Sequence, residues 1–314
     1  AVPFCYTPLS MGSKLFSGIH AALYTAYRDD GGVHFEETAR LAGWLIDRGI
    51  AGLYLCGTTG DGLLLSMDER RGIVEAVSDA VGDRVPLMIH VGTLATRDAI
   101  ELAAHAAKHK GVQAISSLGP VYYPLPWPDQ LNHLSAVASV CDLPFYPYLF
   151  SETIAGEGVR SVLNSFATIP NMAGIKAFVQ DLSVHQAILA HGPEEWELLH
   201  GHDQSLAQAL AIPGVNGAIG SMYNVVPELV VAIFKAAWSG DHGEAARLHH
   251  SFSKYWLPAT RDGSPLTVGR YWLTRRGFAM GEPRLPKRFP PPLALEAMEQ
   301  SLLDHGFDIS KGGL

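Results

Sequence analysis

The chemistry of this chain gathers around one apolar run that closes on a cation, Asn171-Met-Ala-Gly-Ile-Lys176. The run carries no other charge and follows Pro170, which predicts a short buried strand ending at Lys176. Burial penalises an ammonium, so the lysine pKa should fall toward that of a neutral amine able to attack a carbonyl. Taken alone, such a lysine more often snorkels its amine out to solvent. Its company favours imine chemistry. Gly57-Thr58-Thr59-Gly60-Asp61 offers two hydroxyls and exposed backbone N–H groups, which suit a carboxylate. Tyr148 offers a phenol that can carry protons to and from a carbinolamine oxygen. A neutral amine, a carboxylate holder and a proton relay are what Schiff-base catalysis on a 2-keto acid requires.

Other chemistries find less support. With Lys and Arg at 23 against 31 Asp and Glu, the net charge of −8 argues against a nucleic-acid partner. No apolar run reaches the roughly 18 residues of a membrane span. Residues 1–17 lack the charged and apolar regions of a secretory signal. Cys5, Cys56 and Cys141 are odd in number and widely spaced, which suits reduced thiols and a cytoplasmic protein. The 14 histidines are scattered, and pairs such as His249-His250 or His200/His202 have no third ligand at metal spacing. No metal or organic cofactor is expected.

The elements that must position these residues repeat along the chain. Short apolar runs at 18–24, 51–55, 86–91, 112–118, 143–148, 172–176, 196–200 and 216–219 read as strands. Amphipathic stretches at 34–48, 67–81, 97–109, 127–140, 159–166, 182–191, 204–212 and 225–238 read as the helices between them. Eight such units predict an α/β fold, a closed (β/α)8 barrel over residues 16–240. No Gly-x-Gly-x-x-Gly follows the first strand, which counts against a dinucleotide fold. Residues 241–314 read as helices only, at 241–256, 265–278 and 293–305, packed on the barrel at a subunit contact. Barrel enzymes place their catalytic groups at the C-terminal strand ends. That rule selects Gly57 to Asp61, Gly119-Pro120 with Tyr122 and Tyr123, Tyr148, Lys176, Gly201-His202-Asp203 and Gly220-Ser221.

Gly57-Thr-Thr-Gly-Asp61, Tyr148 and Gly174-Ile-Lys176 at these spacings resemble the dihydrodipicolinate synthase/N-acetylneuraminate lyase family of Schiff-base barrel enzymes. The resemblance runs from about Phe16 through the C-terminal helices. Ala21-Ala22-Leu23, His90-Val91-Gly92, Pro120-Val-Tyr-Tyr-Pro124 and Gly217-Ala-Ile-Gly-Ser-Met-Tyr-Asn224 are most similar to the lyase branch. It implies that Lys176 forms the imine, that Tyr148 handles protons, and that Thr58 and Thr59 hold the pyruvate carboxylate. Tyr122 matches a tyrosine that family members lend to a neighbouring subunit. A homotetramer acting on pyruvate and an aldehyde, without metal or cofactor, is further implied.

The departures point to a different second substrate. The loop ends in Asp61 where the family usually has Glu, keeping the charge but shortening the reach. Leu149-Phe150-Ser151 replaces Asn-x-Pro, and no arginine follows to grip the synthase branch's second substrate. Phe178 stands in place of a sugar-binding threonine, and Asp203-Gln204 in place of an Asp-Glu pair, whereas Ser221 is retained. The reading is thus a pyruvate-dependent aldolase cleaving or forming a 2-keto-3-deoxy acid, with a less polar pocket than a sialic acid requires. The alternatives are a sugar-acid dehydratase using the same imine, a dihydrodipicolinate synthase, and a keto-acid sensor without turnover.

Overall fold

The computed structural model describes residues 14–262, 264–304 and 308–309, leaving aside the side chains of 152, 155, 156 and 255–262. Cys5, His305 and residues 1–13, on which the signal reading partly rests, lie outside the described residues.

Eight parallel strands close into a barrel, with β1 pairing both β2 and β8. In chain order the first half is β1 Gly18–Ala22, α1 Phe35–Ile46, β2 Gly52–Leu55, α2 Met67–Val81, β3 Leu87–His90, α3 Thr96–Ala106, β4 Val112–Ser117 and α4 Trp127–Ala138. The second half is β5 Phe145–Phe150, α5 Ser151–Glu157, α6 Val159–Phe166, β6 Gly174–Phe178, α7 Ser183–His191, β7 Glu197–His200, α8 Leu206–Leu210, β8 Val215–Gly220 and α9 Pro227–Trp238. Three more helices follow: α10 His242–Asp262, α11 Pro265–Arg275 and α12 Pro292–Asp304. The expected eight-unit barrel is what forms.

Two cores result, because successive strand side chains point to opposite faces. Outward-facing residues such as Leu53, Leu55, Ile89 and Ile115 pack beneath the helices. Inward-facing Phe16, Ala22, Tyr54, Met88, Ala114, Tyr146, Leu199 and Ile219 fill the barrel. Local signals set several helix starts. Ser66 and Glu69 cap α2 reciprocally, and prolines open α9 and α11.

The boundaries differ from expectation where pairing overrides local signal. β6 continues past Lys176 to Phe178, and β5 past Tyr148 to Phe150, since Phe150 and Phe178 extend each other across the ladder. A helix over Ser151–Glu157 was not anticipated; it starts where the strand stops. α8 is shorter than predicted because residues 203–205 form a separate 3-10 turn.

The C-terminal segment is tied into the barrel by buried and partly buried polar contacts. Arg270 donates to the Thr25 and Met280 carbonyls, and Arg284 forks onto Glu69. No helix among the described residues is long and apolar enough to cross a membrane.

Candidate active site

Lys176 and Tyr148 face each other across the β5–β6 ladder. Period-two alternation puts Tyr146, Tyr148 and Phe150 on the inner face of β5, with Gly174, Lys176 and Phe178 inward on β6. The glycine is required. A Cβ at Gly174 would meet the Tyr146 ring, whose Cδ1 lies 2.9 Å away. The Tyr146 ring thus floors the space above which Lys176 stands.

Lys176 is 4% exposed, and its Nζ lies 3.8 Å from the ring centroids of both Tyr54 and Tyr148. The two π faces favour an ammonium, as does the Asp203 carboxylate, while burial opposes it. Burial prevails and lowers the lysine to about 7. A substantial fraction of the amine is therefore neutral near physiological pH. The Tyr148 phenol is held far above its ordinary value by burial, with a bond from Thr58 acting in the opposite direction. It stays protonated and can give up its proton only as a base-like partner forms beside it.

The Gly57–Asp61 loop is strained and clamped. Cys56 and Asp61 bracket it in left-handed backbone, φ 57° and 59°, which non-glycine residues adopt at a cost. Gly57 permits the turn, since a Cβ there would enter the Tyr54 ring. Thr25 donates to the Gly60 carbonyl at 2.7 Å. Asp61 is buried and accepts from Tyr27 at 3.0 Å, from Arg270 at 3.1 Å and from Lys287. The shorter acid is thus met by cations reaching in from the C-terminal segment. Thr58 is exposed at the mouth, whereas Thr59 is buried with its hydroxyl 2.7 Å from that of Ser221.

Asp203 forms the opposite wall. Its Oδ2 accepts from the Ser221 and Met222 amides at 3.1 and 3.0 Å, and Oδ1 has no hydrogen-bond partner among the described residues. Burial pushes its carboxyl up to about 6, against the two amides and Lys176. The preceding loop is fixed by a histidine chain. His200 Nε2 donates to the His202 carbonyl at 2.7 Å, which leaves Nδ1 to accept from His185 at 3.0 Å.

These groups line one cavity of about 270 Å³ at the C-terminal strand ends. Ala22, Thr58, Thr59, Tyr148, Lys176, Phe178, Gly201, Asp203 and Ser221 all contribute to its walls. Gly57 sits behind it against Tyr54. Two expected residues are not brought there. Gln204 points to solvent and Tyr122, 75% exposed, stacks edge-on against Tyr123. His202, selected with Gly201 and Asp203 at the seventh strand end, lines the cavity too, whereas sequence reasoning missed Tyr54, Phe150, Ile219 and the Ser264-Pro265-Leu266 segment that opens α11. Period two from Tyr148 would have found Phe150; nothing local marks Pro265 or Leu266.

The outer half of the cavity is aromatic. The Tyr148 and Phe150 rings lie 4.4 Å apart, Phe150 and Phe178 5.6 Å, and Phe178 and His202 5.3 Å. Such rings offer a second substrate apolar area and few hydrogen bonds.

Comparison with known proteins agrees with this geometry. The chain is 35% identical to an N-acetylneuraminate lyase of Rhizobium meliloti over 231 residues, covering 74% of this chain and 76% of the relative. It is 34% identical to an uncharacterized DapA-like lyase of Halobacterium salinarum, covering 92% and 94%. The solved N-acetylneuraminate lyase of Aliivibrio salmonicida superposes with a TM-score of 0.85 at 26% identity, over 94% of this chain and 98% of that one. The model of the dihydrodipicolinate synthetase family matches residues 15–288, and with a lysine between two tyrosine rings inside a closed barrel the chain belongs to that family.

Proposed function

We propose that this protein is a cytoplasmic class I aldolase that cleaves or forms a 2-keto acid, releasing or consuming pyruvate and an aldehyde. One observation carries the reading. A buried lysine amine, lowered to about 7, stands between two tyrosine rings at the floor of a cavity with a hydroxyl-rich mouth.

The keto-acid carboxylate sits on Thr58, Thr59 and the backbone at Gly57, opposite the lysine. Neutral Lys176 attacks C2, and Tyr148 donates its proton to the resulting alkoxide so that water can leave from the carbinolamine. The imine nitrogen is protonated. The C4 hydroxyl then loses its proton to the Tyr148 phenolate, the C3–C4 bond breaks, and its electron pair flows into the iminium. An aldehyde departs and an enamine of pyruvate remains. Protonation at C3 and hydrolysis return pyruvate and the amine. The iminium is itself the electron sink, so the cleavage needs no metal or organic cofactor.

Asp203 and Ser221 can hold a hydroxyl near the breaking bond. Beyond them Phe150, Phe178, Pro265 and Leu266 take an apolar tail, while Gln204 reaches solvent and grips nothing in this cavity. We therefore assign a 2-keto acid with a less polar tail than a sialic acid. Residues 16–240 carry the imine chemistry, and the described helices of the 241–314 segment brace the barrel and add Pro265 and Leu266 to the cavity wall. Exposed Tyr122 is available to a neighbouring subunit's site in a homotetramer.

Borohydride reduction in the presence of pyruvate, read by intact mass, tests the imine: one adduct forms on the parent and none on Lys176→Arg. Trapping on both variants overturns the assignment. Comparing kcat/KM for N-acetylneuraminate with that for a 4-hydroxy-2-keto acid bearing an apolar tail tests the substrate. The apolar acid should lead by about 10–100-fold, and Phe178→Thr should narrow that gap. A parent preference for N-acetylneuraminate would refute the apolar assignment while leaving the imine intact.

A further inference from the structure

Away from the cavity, the described residues bring three metal-ligating side chains together on the outer ring of helices. Glu75 lies on α2, His105 in the last turn of α3, and His109 just beyond it. Their donor atoms all lie within 4.8 Å of one another. Glu75 Oε1 is 3.0 Å from His105 Nε2, which is in turn 3.2 Å from His109 Nε2.

With neutral rings, protons satisfy this arrangement only by sharing one His105 Nε2 hydrogen between two acceptors. If His105 Nε2 carries a hydrogen it can donate to Glu75, but then it has no lone pair for His109. If it lacks one it can accept from His109, but then it faces the carboxylate lone pair with nothing between them. A cation in the middle satisfies all three donors at once. The 3.0 and 3.2 Å spacings are close to the roughly 3.3 Å between ligands that stand about 2.05 Å from a tetrahedral zinc ion.

We propose that Glu75, His105 and His109 bind one divalent transition-metal ion of the zinc class, clasping α2 to α3. Two imidazoles and one carboxylate are the donor set that borderline ions such as Zn²⁺ prefer over Mg²⁺ or Ca²⁺. The rings enter from an i, i+4 spacing and the carboxylate from the adjacent helix, so occupancy crosslinks two elements. α3 leads into the start of β4, so the site lies at the barrel end away from Lys176 and its role is structural.

The test uses the full chain, stripped with chelator and titrated with zinc chloride by calorimetry, with Tm followed in parallel. One Zn²⁺ per chain should bind in the micromolar range. Tm should rise by about 5 °C when the ion stands at a hundredfold excess over its Kd. His109→Ala and Glu75→Gln, both replacing partly exposed side chains, should weaken binding at least tenfold and abolish the Tm rise. Absence of saturable binding by the parent would overturn the site. So would parent-like binding and stabilisation in both variants.

Discussion

As the proposed imine lysine, Lys176 must be deprotonated to act, and the burial that favours the neutral amine carries a stability cost with a definite pH signature. Its folded pKa of about 7 lies below its ordinary 10.5, so between those values the unfolded chain holds the extra proton and stability gains from rising pH. The cost is full below about pH 7 and fades toward pH 10.5. The whole shift corresponds to about 5 kcal/mol. Lys176→Met should therefore be inactive yet more stable than the parent near pH 6.5, by up to a few kcal/mol. Denaturant titrations of both proteins at about pH 6.5 and pH 9.5 check this, and a constant stability difference would contradict it. Tyr148→Phe removes the proton relay but keeps the ring against Lys176, so kcat should fall by about 10²–10⁴-fold with stability nearly unchanged. A kcat within threefold of the parent would reassign Tyr148 to packing.

At the scale of elements, the loop from Cys56 to Asp61 links the barrel to the C-terminal segment. Asp61 anchors Tyr27, Arg270 and Lys287 in a buried cluster, and Arg270 is 2% exposed. Asp61→Asn tolerates the left-handed backbone but leaves those cations without their carboxylate. We expect a loss of about 3 kcal/mol in unfolding free energy. The loop, which we propose grips the keto-acid carboxylate, should also loosen, raising KM more than it lowers kcat. Unfolding titrations and steady-state kinetics measure the two effects, and a folded variant with unchanged KM would show that the clamp does not position the loop.

These elements also show what the sequence could reveal. Lys176, Thr58, Thr59, Tyr148, Asp203 and Ser221 were legible because strand ends are marked by glycines and by breaks in apolar runs. Tyr54 was hidden in mid-strand, where an aromatic residue reads as core; only the barrel's curvature brings its face to the lysine. The reach of β5 and β6 depended on Phe150 pairing with Phe178, a contact between residues 28 positions apart that neither stretch announces alone. Tyr122 was selected from its loop, but it remains 75% exposed because nothing in a single chain covers it.

That exposure is a matter for the whole molecule. Val121, Tyr122 and Tyr123 form an apolar tip, 59%, 75% and 58% exposed. Large apolar groups clustered this way mark a contact surface. Light scattering at micromolar concentration should return a homotetramer, about four times the 33.9 kDa chain mass. Tyr122→Asp should lower the assembly state, and should lower activity too if the phenol serves a neighbouring site. A monomeric parent would count against both. The barrel itself was the most legible feature, because eight apolar runs alternating with amphipathic helices leave few other ways to bury both faces of a sheet.

Ser264, Pro265 and Leu266 wall the cavity from beyond the eighth strand, whereas the lysine belongs to the sixth. A genetic crossover near Gly240 would exchange Pro265 and Leu266 while leaving Lys176 and Tyr148 in place. It would also exchange Arg270 and Lys287, the cations that meet Asp61. A lineage that recombines its tail can therefore change what it eats only if the new tail still brings a positive charge to that one buried carboxylate.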